Sequence, residues 1–353
     1  MITNLVERIS PPDSALADVA RRHLDGLTKP RGSLGRLESL AVRLAVLRGA
    51  PPAVEAPVIF TFAADHGVVV ESVSAYPQVV TAQMVENFLR GGAAVNVLAR
   101  QARARVVVAD FGVANPIGGT GGLIRVPVAP GTRNMAQGPA MSRAEATKSI
   151  ETGARLALEA VAGGADLIAT GEMGIGNTTA ASALTAAITR AAPESVTGRG
   201  TGLDDTAWAH KVDVVRRALE VNRPDPTDGL GILAALGGFE IAGLVGVILA
   251  GAASRVPVVV DGFISTAAAL VAVILAPDAR HALFASHRSA EPGHHAALAH
   301  LGLTPYLDLG MRLGEGTGAA LFIHLARAAA GIYREMATFK SAGVDGPEAT
   351  SGP

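Results

Sequence analysis

Six short apolar runs, several rich in β-branched residues, punctuate this chain at 57–64, 105–110, 123–128, 165–170, 256–260 and 282–285. Stretches with helical periodicity lie between most of them, at 81–89, 93–101, 143–162 and 205–221. Continuous apolar strands separated by helices predict an α/β fold: a mostly parallel, Rossmann-like sheet with helices on both faces. In such sheets ligands bind beyond the carboxyl ends of the strands. The two ends of the chain break the pattern. Residues 1–48 have helical periodicity without a strand, and 318–338 read as one long helix. These ends are expected to form a small helical domain beside a large α/β domain at 49–317. Residues 339–353 are polar and rich in Gly, Pro and Ser, as expected of a disordered tail. No internal repeat is visible.

The fourth apolar run leads into Gly171-Glu172-Met173-Gly174-Ile175-Gly176-Asn177-Thr178-Thr179, and a helix is expected to begin at about residue 180. Three glycines between strand and helix let backbone N–H groups approach an anion. Asn177, Thr178 and Thr179 are expected to cap the helix where its dipole is positive. This is the local chemistry of a phosphate cradle, although it lacks the Gly-Lys-Ser/Thr ending of a P-loop and the glycine spacing of a dinucleotide site. Glu172 is unusual there, because a carboxylate is repelled by phosphate. It is expected to face a cationic or N–H-bearing part of a ligand.

Composition narrows the picture. Of 353 residues, 49% are hydrophobic and only 17% charged, which supports an extensive core. Aromatics are 4% and glycines number 41, so that core relies on small side chains at close approach. The net charge of −1 argues against an extended nucleic-acid footprint. With no cysteine, disulfides and thiolate metal sites are excluded. Residues 232–253 approach the length of a membrane span, but Gly237-Gly238 and Glu240 interrupt them and a strand follows. A buried helix explains them better. There is no signal-peptide pattern, and a cytoplasmic location is expected.

Polar residues follow most of the apolar runs: Asp65-His66-Gly67, Asp261-Gly262-Phe263, and 286–291 with His287, Ser289 and Glu291. Several acids on one rim point to a site that handles protons or a cation. Each also has a plainer role. Asp65 and Asp261 would cap the following helices, His66 would be a satisfied core histidine, and Glu291 would be a charge at a helix start. Asp65, His66, Asp261, His287, Glu291, His294 and His295 supply metal-ligand chemistry, but in no recognisable spacing, so neither a metal nor a cofactor is expected. Residues 258–266 partly match the acidic strand-end loop that grips phosphoribosyl pyrophosphate; Gly262 stands where that loop has its second acid. Glu315 differs from these acids. Flanked by Gly314 and Gly316, it would sit in an apolar niche that raises its pKa and suits it to taking a proton.

Together these segments resemble the nicotinate-nucleotide–dimethylbenzimidazole phosphoribosyltransferases, the cobalamin-pathway enzymes often called CobT. The resemblance extends over about residues 25–335. It rests on Thr28-Lys29-Pro30-Arg31-Gly32-Ser33-Leu34-Gly35, Ala64-Asp65-His66-Gly67-Val68, Thr132-Arg133-Asn134-Met135, the 171–179 loop, Asp261-Gly262-Phe263, 286–291 and 309–318. Arg31 stands where the family usually has a second proline. The resemblance implies a homodimer with small-molecule substrates. In that reaction nicotinate mononucleotide gives its phosphoribosyl group to 5,6-dimethylbenzimidazole, forming α-ribazole 5′-phosphate and nicotinate. By motif position it implies Glu315 as general base, Glu172, Gly174, Gly176, Asn177 and Thr178 around base and phosphate, and Lys211 on the phosphate. Asp261 and Gly314 lie near the substrates, and Ser74, Gln83 and Ser289 near the benzimidazole. Two alternatives remain open: the same fold and donor with another acceptor such as adenine or a phenol, and a nucleotide-binding protein without turnover.

Overall fold

The computed structural model describes residues 1–118, 121–200 and 202–345. Six strands form one sheet: β1 (Pro57–Ala64), β2 (Arg105–Gly112), β3 (Ile124–Arg125), β4 (Leu167–Met173), β5 (Val258–Val260) and β6 (Leu283–Ala285). Their order is β3-β2-β1-β4-β5-β6, and every pairing is parallel. The chain winds outward from β1 to β3, returns, and winds the other way from β4 to β6. The reversal opens a crevice at the carboxyl ends of β1 and β4, where a doubly wound sheet binds its ligands.

All eight residues of β1 are buried, so the sheet is covered on both faces as the apolar runs require. One face carries Phe62, which stacks on Phe111 of β2 at 4.4 Å between ring centres. Phe239–Ala253 packs over this face through Gly243, whose missing Cβ would lie within 2.9 Å of both rings. The same helix crosses Arg143–Ala162 at backbone contact. A Cβ at Gly246 would sit 1.9 Å from the Ile150 carbonyl, and one at Gly153 1.9 Å from that of Gly243. The abundance of small residues is therefore a packing requirement of this helix pair. The expected buried helix at 232–253 is in fact two, Gly229–Leu236 and Phe239–Ala253, broken at Gly237-Gly238. Among the described residues no helix is long and apolar enough to cross a membrane.

The runs at 123–128, 256–260 and 282–285 shorten to two or three residues of strand, because their outer residues join loops rather than the ladder. The run at 165–170 is displaced: its strand starts at Leu167 and continues through Gly171 and Glu172 to Met173, paired with β1. The chain divides into two compact units, one of Met1–Ser10 with Ala56–Phe322 and one of Pro11–Glu55 with Ile323–Pro353. The second holds Ser14–Asp25 and Arg36–Arg48. Of the stretch expected to be a tail, Phe339–Ala342 forms one helical turn, with a reciprocal Thr338–Ser341 cap. Residues 346–353 of that stretch lie outside the described residues.

Candidate active site

A cavity of about 510 Å³ lies beyond the carboxyl ends of the strands, lined by Glu172 to Thr178, Gly262 to Ile264, His287, Ser289, Glu291 and Arg312 to Glu315. Ser74, Val80 and Met84 close one side. Glu172 stands on β4 itself and projects into the crevice where the strand order reverses. The helix after it, Asn177–Thr189, starts from Gly176 in the left-handed region at φ 95° and receives no side-chain cap. The expected capping role of Asn177, Thr178 and Thr179 is thus corrected, and Thr179 Oγ1 is buried without a hydrogen-bond partner. Asn177 Nδ2 donates to Glu172 Oε2, and Thr178 Oγ1 accepts from Lys211 Nζ at 2.8 Å. Around the helix start the N–H groups of Asn177 and Thr179 donate to the Gly174 and Gly176 carbonyls at 3.1 and 3.0 Å, and that of Ile175 to Thr81 Oγ1 at 3.1 Å.

Glu315 adopts a left-handed backbone, φ 66°, between two glycines of the same hand. This is uncommon for a residue with a Cβ and costs about 1 kcal/mol. Two contacts hold it. Thr61 Oγ1 of β1 donates to the Glu315 carbonyl at 2.9 Å, and Gly171 lets that carbonyl approach, since a Cβ there would lie 2.3 Å from it. The Glu315 carboxyl is buried, and its Oε2 has no hydrogen-bond partner. Burial raises its pKa, against the Val95 N–H that hydrogen-bonds the charged form.

Asp261 is buried, and neither caps the helix that follows it nor lines the cavity. Its carboxylate accepts from Gly316 N–H at 3.2 Å and Ala319 N–H at 2.9 Å, so it anchors the turn that presents Glu315. Burial pushes its pKa up to about 7 despite those bonds. Glu172 is raised to about 8, first by burial and then by the charges of Glu240 and Asp261; Asn177 opposes this and Glu315 adds to it. Glu240 emerges only in three dimensions. In sequence it interrupts an apolar run, whereas in the fold it is fully buried and 2.7 Å from His66 Nε2.

Lys211, on Asp205–Asn222, is fully buried behind Thr178. Burial lowers its pKa to about 8, and Glu291 holds it up. Glu291 accepts from Gly200 N–H at 3.1 Å, and Arg312 donates to the Gly200 carbonyl at 2.9 Å. Ser289 lines the cavity, and its N–H donates to His294 Nδ1 at 2.9 Å. That bond puts the His294 proton on Nε2, facing Thr266 Oγ1, and burial holds the ring neutral, with its pKa down to about 3. Gln83 stays outside: it is exposed, while Val80 and Met84 of the same helix face the cavity. Positions four apart share a helix face and position 83 turns away from it. Among the described residues no three His, Asp or Glu side chains converge to hold a metal ion.

A family model described as Phosphoribosyltransferase matches residues 9–344. A relative from Desulforudis audaxviator, named nicotinate-nucleotide–dimethylbenzimidazole phosphoribosyltransferase, is 56% identical over 345 residues, 98% of each chain. The chain belongs to the nicotinate-nucleotide–dimethylbenzimidazole phosphoribosyltransferase family. A family member from Roseiflexus castenholzii is 54% identical over 98% of each chain. A solved member from Thermus thermophilus superposes with a TM-score of 0.90 at 48% identity, over 95% of this chain and all of that one.

The family segments that carry no obvious chemistry have structural work. Thr132 Oγ1 accepts from Gly67 N–H at 3.2 Å, and Asn134 donates to Glu71 at 2.6 Å, so the Thr132–Met135 segment buttresses the loop after β1. Within the second unit the 28–35 loop is built on Glu38, which pairs with Lys29 at 2.8 Å and accepts from Leu34 N–H at 3.0 Å. Arg31 is exposed there, so the loop closes without the family's second proline.

Proposed function

We propose that this protein transfers the phosphoribosyl group of nicotinate mononucleotide to 5,6-dimethylbenzimidazole, giving α-ribazole 5′-phosphate and nicotinate for the lower ligand of cobalamin. One observation carries the reading. A buried carboxyl with an unpartnered oxygen, Glu315, stands on the wall of a cavity whose 510 Å³ is in the range of small-molecule sites. A protein that only held a nucleotide would have no use for such a base.

In the donor the pyridinium nitrogen is already cationic, so it keeps the electron pair of the breaking glycosidic bond and becomes a neutral ring nitrogen as nicotinate departs. No pyrophosphate leaves, and the reaction calls for no magnesium clamp. One benzimidazole nitrogen attacks the anomeric carbon from the face opposite the leaving base, which inverts β to α. As the bond forms, the N–H on the other nitrogen becomes acidic, and Glu315 removes that proton. The raised pKa of Glu315 makes it a better acceptor than an exposed glutamate.

The remaining roles follow from position. The backbone of Gly174 and Gly176, with Asn177 and Thr178 at the helix start, takes the donor phosphate, and Lys211 reaches it past Thr178. Glu172 and Gly314 flank the reacting rings, and Ser289 borders the benzimidazole. Asp261 positions Glu315. Ser74, Val80 and Met84 form the benzimidazole wall, in place of Gln83. Holding both substrates in line supplies much of the remaining rate. Catalysis then belongs to the large α/β unit of a cytoplasmic homodimer.

The test is incubation with nicotinate mononucleotide and, in turn, dimethylbenzimidazole, adenine and phenol, with released nicotinate and the ribotide followed by mass. Nicotinate release with dimethylbenzimidazole is expected. Release only with another base would change the acceptor, and no release with any would sink the proposal.

A further inference from the structure

Behind the cavity wall lies a second polar pair that the reaction above does not use. His66 and Glu240 are both buried, His66 Nε2 stands 2.7 Å from Glu240 Oε1, and Glu240 Oε2 has no partner. An acid at the fully buried start of the helix Phe239–Ala253 is expensive unless it does something there.

Its surroundings indicate what. The pair is wedged against the backbone of the turn from β4 into the Asn177 helix. A Cβ at Gly174 would lie 3.3 Å from His66 Cδ2 and 3.4 Å from Glu240 Oε1, and one at Gly176 would lie 3.3 Å from His66 Cβ. Gly238 closes the other side, where a Cβ would meet His66 Cε1 at 2.3 Å and Glu240 Oε2 at 2.6 Å. Three glycines thus fit their main chain around these two side chains. Two residues before Gly174, on the same strand end, stands Glu172, which lines the cavity.

We propose that His66 and Glu240 are a positioning pair for the cavity wall: His66 holds Glu240 against the Gly174–Gly176 turn, and the charge of Glu240 keeps the Glu172 carboxyl neutral, so that it donates a hydrogen bond to a bound substrate. This deepens the reading under Proposed function and rests on it for the identity of that substrate. It also removes a conflict. An ionised Glu172 beside a phosphate cradle would repel the donor, whereas a neutral carboxyl would not.

The charged and titratable groups facing Glu172 are Glu240 from its helix, Asp261 from the end of β5 and Glu315 from the opposing turn, with Asn177 donating to it. Facing Glu240 are His66 and, across the loop after β1, Asp65. The three acids around Glu172 push in one direction, and Glu240 is the largest of these charge effects.

The decisive experiment titrates Glu172 in the ligand-free protein. Infrared spectra of the wild type minus those of Glu172→Gln isolate its carboxyl band across pH 5–10. In the wild type the proton should leave at about pH 8. In Glu240→Gln, read against Glu240→Gln/Glu172→Gln, it should leave roughly one pH unit lower or more, since a nearby like charge has been removed. If Glu240→Gln does not fold, Glu240→Met fills a similar volume without charge and carries the same expectation. An unchanged Glu172 titration in a folded variant would overturn the proposal. Kinetics give a second reading: the alkaline limb of kcat/KM should move down with the infrared transition, and a limb that stays in place would count against Glu172 as donor. A wild type that releases no nicotinate would defeat the proposed reaction and leave the infrared result standing.

Discussion

Replacing Glu315 by Gln tests the chemistry most directly. Gln keeps the length and hydrogen-bonding reach of Glu, and it occupies the same left-handed backbone between Gly314 and Gly316. The Thr61 bond is to the Glu315 carbonyl, not the side chain, so the turn should survive. What goes is the ability to take the benzimidazole proton. Loss of a positioned base typically lowers turnover ~10²–10⁴-fold, or roughly 3–5 kcal/mol of barrier. Steady-state kinetics should therefore give a large fall in kcat with little change in either KM. The pH profile adds a check. Burial raises the Glu315 pKa, so the wild-type rate should fall on the acid side at a pH above the usual glutamate value of 4.5, and this limb should vanish in the variant. Stability should respond in the opposite sense. A carboxyl with a raised folded pKa contributes stability below its unfolded pKa and loses that contribution as pH rises through the folded value. The variant has no such loss, so its melting temperature at pH 8 should match or exceed that of the wild type. Near-normal turnover with the acid limb intact would refute the assignment and send the search for the base to Glu172.

Other outcomes follow from the same geometry. Lys211→Ala should raise KM for nicotinate mononucleotide far more than KM for the base, and an unchanged donor constant would remove Lys211 from the phosphate site. Activity should survive EDTA, because a cationic leaving group needs no metal; loss on chelation with recovery on adding Mg²⁺ or Zn²⁺ would contradict the mechanism. Asp261→Asn should weaken the anchor on the Gly316 and Ala319 amides and lower kcat by displacing Glu315, whereas an unchanged kcat would separate Asp261 from the base. Gly246→Ala forces a methyl into the Ile150 carbonyl and should destabilise the protein by about 1–3 kcal/mol in chemical denaturation.

Much of this protein is legible without coordinates. The alternation of apolar runs and helical stretches is local and periodic, so the parallel sheet, its two-sided burial and the location of the site at the strand ends can be read directly. The motifs are equally legible, because glycine and acid spacings specify chemistry at short range. Three things are decided only by the tertiary structure. Local spacing predicts helix caps at Asn177 and Thr178, but each bonds a side chain brought by another part of the fold, Glu172 from β4 and Lys211 from a helix over thirty residues away. Motif position puts Asp261 near the substrates, yet its partners are backbone amides 55 and 58 residues further on. Glu240 in sequence is an interruption in an apolar stretch, and only the packing of its helix against the β1 loop pairs it with His66 at a separation of 174 residues. The physical reason is the same in each case. Periodicity and spacing report which face of an element is buried, whereas a buried polar atom takes the partner that packing places within about 3 Å, and sequence distance does not limit that choice.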